Sequence, residues 1–297
     1  MGGGKTIAWG PSGGASNRDG AVSANLLWRW ADSPDVTAVL LSKLKDETPL
    51  VREQAVRSLE PLVQNGDASV LSALRPLLND HLRNVRIACA WVLRQSVNMD
   101  TGAGEDLEKA LALNADQPKG QFQKAMLLLS RQQPTEALTH LQKAVAFDGF
   151  SPPLRYETAE VLSQLGRPTE AAEELQAACR LQPQSAEFRF KLGLAWADAR
   201  QFEKAVEALE TAVKLDTGNV QAWYNLGLAR ASLGKTAEGL EALSRAESLA
   251  PSDPQIPFAR AKILAGAGRN AEARAAANRA LEIQSDFKPA QEFLQSN

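Results

Sequence analysis

The chain has 297 residues, 44% of them hydrophobic, a formal net charge of −2 and an isoelectric point near 5.9. That length can bury ample core as one long array or two domains, and the charge balance leaves no basic excess for nucleic acid or an anionic membrane surface. No apolar run approaches the roughly 20 residues of a membrane helix, and the opening Met1-Gly2-Gly3-Gly4-Lys5 lacks the apolar core of an export signal.

Residues 1–19 are rich in Gly and Ser without periodicity, which predicts a mobile leader. Gly4-Lys5-Thr6 echoes the end of a phosphate-binding loop, but only three residues of this sequence precede Gly4, where the loop needs a strand, and Ile7-Ala8-Trp9-Gly10-Pro11 cannot form the helix that must follow. Nucleotide binding is not expected. Residues 20–97 begin a new unit. Residues 21–31 predict a short apolar helix carrying Trp28 and Trp30, either a cap on the edge of an array or a docking helix.

From residue 34 two helical pairs follow. Pro34 suits a first helical position, where its missing N–H is harmless, and Val39, Leu40 and Leu44 give that helix an apolar face. After a turn at Asp46, residues 50–63 predict one helix; the second pair carries Leu74 and Leu78, then Asp80, then a helix over residues 84–97. Matching residues fall 34 apart: Leu40/Leu74, Leu44/Leu78, Asp46/Asp80, Val51/Val85, Arg52/Arg86 and Leu59/Leu93. This Asp-turn-Val-Arg-helix pattern resembles HEAT repeats. The resemblance implies a structural role for Asp46, Asp80, Arg52 and Arg86, which interact within or between repeats.

Residues 98–117 join two kinds of repeat. Gly102 and Gly104 mark a turn, and a helix over 105–114 places Leu107, Ala110 and Leu113 in phase. The joint is read either as a hybrid half-repeat continuing the array or as a hinge at the two glycines.

Residues 118–287 hold five repeats of 34 residues, starting at Pro118, Pro152, Ala186, Val220 and Pro254. Their eighth residues are Ala125, Ala159, Gly193, Gly227 and Ala261; their twentieth are Ala137, Ala171, Ala205, Gly239 and Ala273. Their twenty-seventh are Ala144, Ala178, Ala212, Ala246 and Ala280. Small residues recurring at three fixed positions let paired helices touch. With Trp223, Gly234 and Pro251 in the fourth repeat, they resemble the tetratricopeptide repeat, although Gly239 and Leu243 stand where that family prefers Ala and an aromatic. Residues 288–297 begin a further helix, as a C-terminal cap would. The fold expected is all-α, a right-handed α-solenoid of helix-turn-helix repeats.

In that family, positions 2, 5, 9, 12 and 13 of each first helix face a concave groove. Position 5 here reads Phe122, Tyr156, Phe190, Tyr224 and Phe258, and position 9 contributes Met126, Leu194 and Leu228 beside Glu160 and Lys262. Aromatic and Met side chains supply contact area at low entropic cost. These residues are therefore the candidate partner-binding set; the competing reading is that position 5 packs on its neighbour. The Lys and Asn that clamp a chaperone's terminal carboxylate in some family members are missing from positions 5 and 9. A segment with apolar side chains fits better.

No catalytic residue, cofactor or metal site is expected. His81 and His140 are the only histidines, both read as solvent-facing, and Cys89 and Cys179 are read as buried free thiols. The function expected is a non-catalytic scaffold binding a protein or peptide partner, without nucleic acid or membrane insertion; self-association stays open. The alternative is the regulatory or docking portion of a larger enzyme. The HEAT-then-tetratricopeptide order also resembles the array behind the haem modules of some bacterial multihaem cytochrome c proteins, without the haem motif. Compartment is left open: cytoplasmic by default, periplasmic if the chain is a processed form.

Overall fold

Prolines begin six of the described helices, because a first-turn residue has no N–H partner to lose and the ring presets φ. The computed structural model describes residues 33–296, so the leader and the helix expected over 21–31 lie outside the described residues. Among the described residues there are 17 α-helices, one 3-10 helix and no strand: an all-α repeat solenoid. They fall into two bodies, which divide between Gln133 and Pro134.

The first body holds α1 (Pro34–Lys43), α2 (Pro49–Ser58), α3 (Glu60–Gln64), α4 (Ala68–Leu74), a 3-10 helix (Arg75–Asn79), α5 (Arg83–Val92), α6 (Gly102–Leu113) and α7 (Pro118–Ser130). Its leading core joins Leu40, Leu59, Val70, Leu74, Val85 and Leu93. Each fully buried Leu or Val contributes about 2 kcal/mol.

Three expectations fail here for local reasons. Residues 50–63 form two helices rather than one, since Pro61 cannot donate into the ladder of α2. Pro76 likewise tightens the end of α4 into the 3-10 helix, which rotates the apolar face so that Leu77 rather than Leu78 is buried. Val39 and Leu113 are exposed at 39% and 76%; in α6 the inward face is Ala103, Leu107 and Leu111. Gly102 and Gly104 sit inside the first turn of α6, where a Cβ on Gly104 would run into the Asn98 carbonyl.

The second body continues with α8 (Pro134–Phe147), α9 (Pro152–Gln164), α10 (Pro168–Leu181), α11 (Ala186–Asp198), α12 (Phe202–Leu215), α13 (Val220–Ser232), α14 (Thr236–Leu249), α15 (Gln255–Gly266), α16 (Asn270–Ile283) and α17 (Lys288–Ser296). Successive pairs stack: α9 on α10, α11 on α12, α13 on α14, α15 on α16, with α17 against α16. Every small residue at positions 20 and 27 of these repeats is buried. At position 8 the approach is closest where glycine replaces alanine. A Cβ on Gly227 would lie 2.7 Å from Leu243 Cγ and 2.9 Å from the Gly239 carbonyl, and one on Gly193 would lie 2.5 Å from Leu209 Cγ. In both repeats the atoms met first belong to the leucine at position 24.

Each turn between paired helices passes through a left-handed residue at position 15. Gly166, Gly234 and Gly268 take it at φ of 72°, 76° and 73°, and Arg200 takes it at 57°. In α13 the Gly234 and Lys235 N–H groups donate back to Ala231 and Arg230, closing the last turn of the helix.

Candidate functional site

Within the second body, α13 and α15 present one face of each helix to a common cleft of about 730 Å³. Tyr224, Leu228, Ala231 and Ser232 come from α13; Gln255, Phe258, Lys262 and Ile263 come from α15, and Phe287 and Pro289 close the end. The spacing of three and four residues along each helix puts these side chains on one stripe. They occupy positions 2, 5, 9, 12 and 13 of the last two repeats, together with Ile263.

The aromatic groups at position 5 do two jobs. Phe258 is fixed edge-on by Phe287 and Phe293, with ring centres 5.6 and 6.1 Å away. Tyr224 packs in one cluster with Val220 and the buried Ile256, position 3 of the next repeat. Tyr156 stacks on Phe188, again position 3 of the next repeat, at 5.5 Å. All three rings are partly buried by this packing, and Tyr224 and Phe258 also line the cleft. Burial first, and then the Asp253 carboxylate, push the Tyr224 phenol above its usual range, so it is a neutral hydroxyl at physiological pH.

The structure brings Tyr224, Leu228 and Phe258 together in the cleft. Tyr156, Phe190 and Leu194 are half-buried on α9 and α11 of the same body, while Phe122 and Met126 are half-buried on α7 of the first body. Beside Tyr156, the Lys191 ammonium lies 3.1 and 3.2 Å from the Glu160 carboxylate oxygens and 5.8 Å from the Tyr156 ring centre. Glu157, one turn below, is half-buried and has no ion-pair partner among the described residues; burial, then repulsion from Glu160, raise its pKa.

The first body carries a different constellation. Arg52, 7% exposed, donates from Nε and Nη2 to both Asp80 carboxylate oxygens (2.8 and 3.0 Å) and from Nη1 to the Asp46 and Glu47 carbonyls. Arg86 repeats the geometry one unit later, with its Nη1 on the Asp80 carbonyl and its Nε and Nη2 on Asp106. Asp106 was missed by the sequence pattern, because the 34-residue register points to Asn114 instead. Burial works against the Asp80 charge, but hydrogen bonds from Arg52 and the Leu82 N–H, with the Arg52 charge, hold its carboxyl below the usual range.

Both cysteines are buried and unbridged. Cys89 Sγ donates to the Leu74 carbonyl, and burial, aided by Asp80, pushes its thiol up to about 12; such a thiol is a poor nucleophile. His81 is exposed as expected, whereas His140 is half-buried against its helix neighbours, which corrects the solvent-facing reading. Among the described residues, no three His, Cys, Asp or Glu side chains are grouped to hold a metal ion, and no helix is long and apolar enough to cross a membrane.

The tetratricopeptide repeat model matches residues 156–220, 197–254 and 224–289, and the HEAT repeat model matches residues 21–94 and 37–126. No curated protein sequence matches the chain. Among solved structures, MamA is 25% identical, aligning 53% of this chain with 92% of its own at a TM-score of 0.50. MamA from residue 41 onward of Desulfovibrio magneticus RS-1 is 22% identical over 58% of this chain and 97% of its own (TM-score 0.54). YrrB, described as a TPR protein with an unusual peptide-binding site, is 21% identical over 63% of this chain and 97% of its own (TM-score 0.55). Stacked helical pairs, buried small residues and these matches make the chain a TPR/HEAT repeat protein, HEAT-type over residues 21–126 and tetratricopeptide-type over residues 156–289.

Proposed function

We propose that this chain is a non-catalytic scaffold that holds a protein or peptide segment in the inner groove of its tetratricopeptide repeats. The observation that carries this is the cleft of about 730 Å³ in which Tyr224, Leu228 and Phe258 keep accessible faces while their other faces are fixed by packing. Rings immobilised before binding give up little rotamer entropy when a partner covers them, which makes them effective anchors. The peptide-binding site described for YrrB, a protein of the same fold, agrees with this use of the scaffold. Phe190, Tyr156 and Leu194 extend the binding stripe along the second body; Phe122 and Met126, on α7 of the first body, are proposed as partner contacts of that body alone.

Affinity capture from the source organism tests the proposal, with the intact chain beside a Tyr224→Ala/Phe258→Ala variant of unchanged helicity. A loss of about 2 kcal/mol at each true anchor removes a groove-bound partner from the second eluate. Equal recovery of every partner with both proteins contradicts the proposal.

A further inference from the structure

Charge is distributed unevenly along the groove positions of the second body. In α9 and α11 the groove positions include three carboxylates, Glu160, Glu187 and Asp198, and no base. In α13 they are all neutral: Gln221, Tyr224, Leu228, Ala231 and Ser232. In α15 they include one base, Lys262, and no acid. Lys262 is exposed on the cleft wall and has no ion-pair partner among the described residues. Lys191 offsets only Glu160, while Glu157 adds a further unpaired carboxylate beside it. Both Glu160 and Glu187 act on the Tyr156 phenol in the direction that opposes its ionisation, which places their charges at that end. Asp253, near Tyr224, is occupied in accepting the Gln255 N–H at the start of α15. The arginines of α13 and α15 are likewise engaged, Arg230 by Glu210 and Arg260 by Glu247.

From these observations, and resting on the groove reading above, we propose that the occupant is an extended segment of a partner protein bound in one fixed direction. It carries Lys or Arg at the end lying on α9 and α11, apolar side chains over Phe190, Tyr224 and Leu228, and Asp or Glu at the end lying on Lys262. Opposite charges meeting along a groove select register and direction more than they add affinity, because the reversed segment brings like charges together. The three steps from α9 to α15 cover roughly 25–30 Å at ordinary helix spacings, which an extended segment of about eight residues spans.

The test is selection of displayed random peptides about ten residues long against the full chain, repeated with Lys262→Glu, with Glu187→Lys and with Tyr224→Ala/Phe258→Ala. The wild type is expected to enrich peptides that are basic at one end, apolar in the middle and acidic at the other. Lys262→Glu is expected to weaken these at least tenfold and to recover binding when the acidic end of the peptide is changed to Lys; Glu187→Lys weakens them through the basic end. Peptides that need Tyr224 and Phe258 but are indifferent to charge at 187 and 262 overturn the fixed direction and leave the groove reading standing. Enrichment that survives loss of both aromatics, or no enrichment at all, overturns both.

Discussion

The two bodies keep successive repeats in register by different means. In the first, Arg52 reaches across to Asp80 with a two-pronged, charge-assisted bond, and both side chains are over nine-tenths buried. In the second, the ion pairs between helices are wetter, as at Arg155–Glu174, where the side chains are 22% and 26% exposed. There the register is steric: Gly227 and Gly239 touch through backbone, and any side chain atom added between them collides. A directional bond tolerates variation in the surrounding apolar residues, and the first body is the one in which Pro61 and Pro76 break helices. A steric contact fixes helix length and phase, and from α8 to α16 the second body departs from its repeat in only one place, the start of α15.

That difference can be broken from either side. Arg52→Ala leaves a buried carboxylate without its partner and should destabilise the first body by about 4 kcal/mol. Replacing both partners, Arg52→Met with Asp80→Leu, should recover most of this loss. Hydrogen exchange read by mass spectrometry locates both effects, and the second body should be unaffected. Gly227→Val is the steric counterpart and should cost the second body about 3 kcal/mol, while the first body keeps its protection.

Acid separates the bodies more gently. The carboxyls of Asp46, Asp80 and Asp106 have folded pKa values below their ordinary ones; burial opposes this in each, and hydrogen bonds with nearby cations outweigh it. The unfolded chain therefore binds more protons, so this stabilisation is complete above the unfolded pKa, near 4, and is lost as pH falls through the folded values. In the second body the lowered carboxyls, Glu170 and Glu272, are exposed partners of Arg167 and Arg269 and contribute little. Glu157 is raised instead, so its contribution runs the other way, weakening the fold as pH rises. Exchange protection between pH 5 and 3 should fall first in the first body.

The smallest effects lie in the turns. Arg200 holds a left-handed backbone that three other repeats give to glycine, so Arg200→Gly should raise stability by about 1 kcal/mol. Gly234→Ala should lower it by a similar amount; thermal melts of the two variants should move in opposite directions.

The sequence displayed the second body almost completely, because steric packing writes itself as Ala and Gly at fixed spacing. Helix starts at Pro152, Ala186 and Val220 follow from that register, and so does the placement of Tyr224, Leu228 and Phe258 on one stripe. The first body was less legible. A bond such as Arg86 to Asp106 needs only a carboxylate within reach, so it can leave the 34-residue period without loss. Proline breaks and the change of face at Leu77 are likewise local responses that periodicity averages away. The end of the cleft was hidden for a further reason: Pro289 comes from the cap and Phe287 is the last residue of the fifth repeat, both outside the groove positions of the repeating unit.

Photo-crosslinking in the source organism decides whether a partner lies in the groove of the second body. A benzophenone amino acid replaces Phe258 in one chain and the exposed Glu207 of α12 in another. A groove-bound partner crosslinks from position 258, is lost on adding Tyr224→Ala, and gives no crosslink from position 207. Crosslinks arising only from position 207 would contradict groove binding.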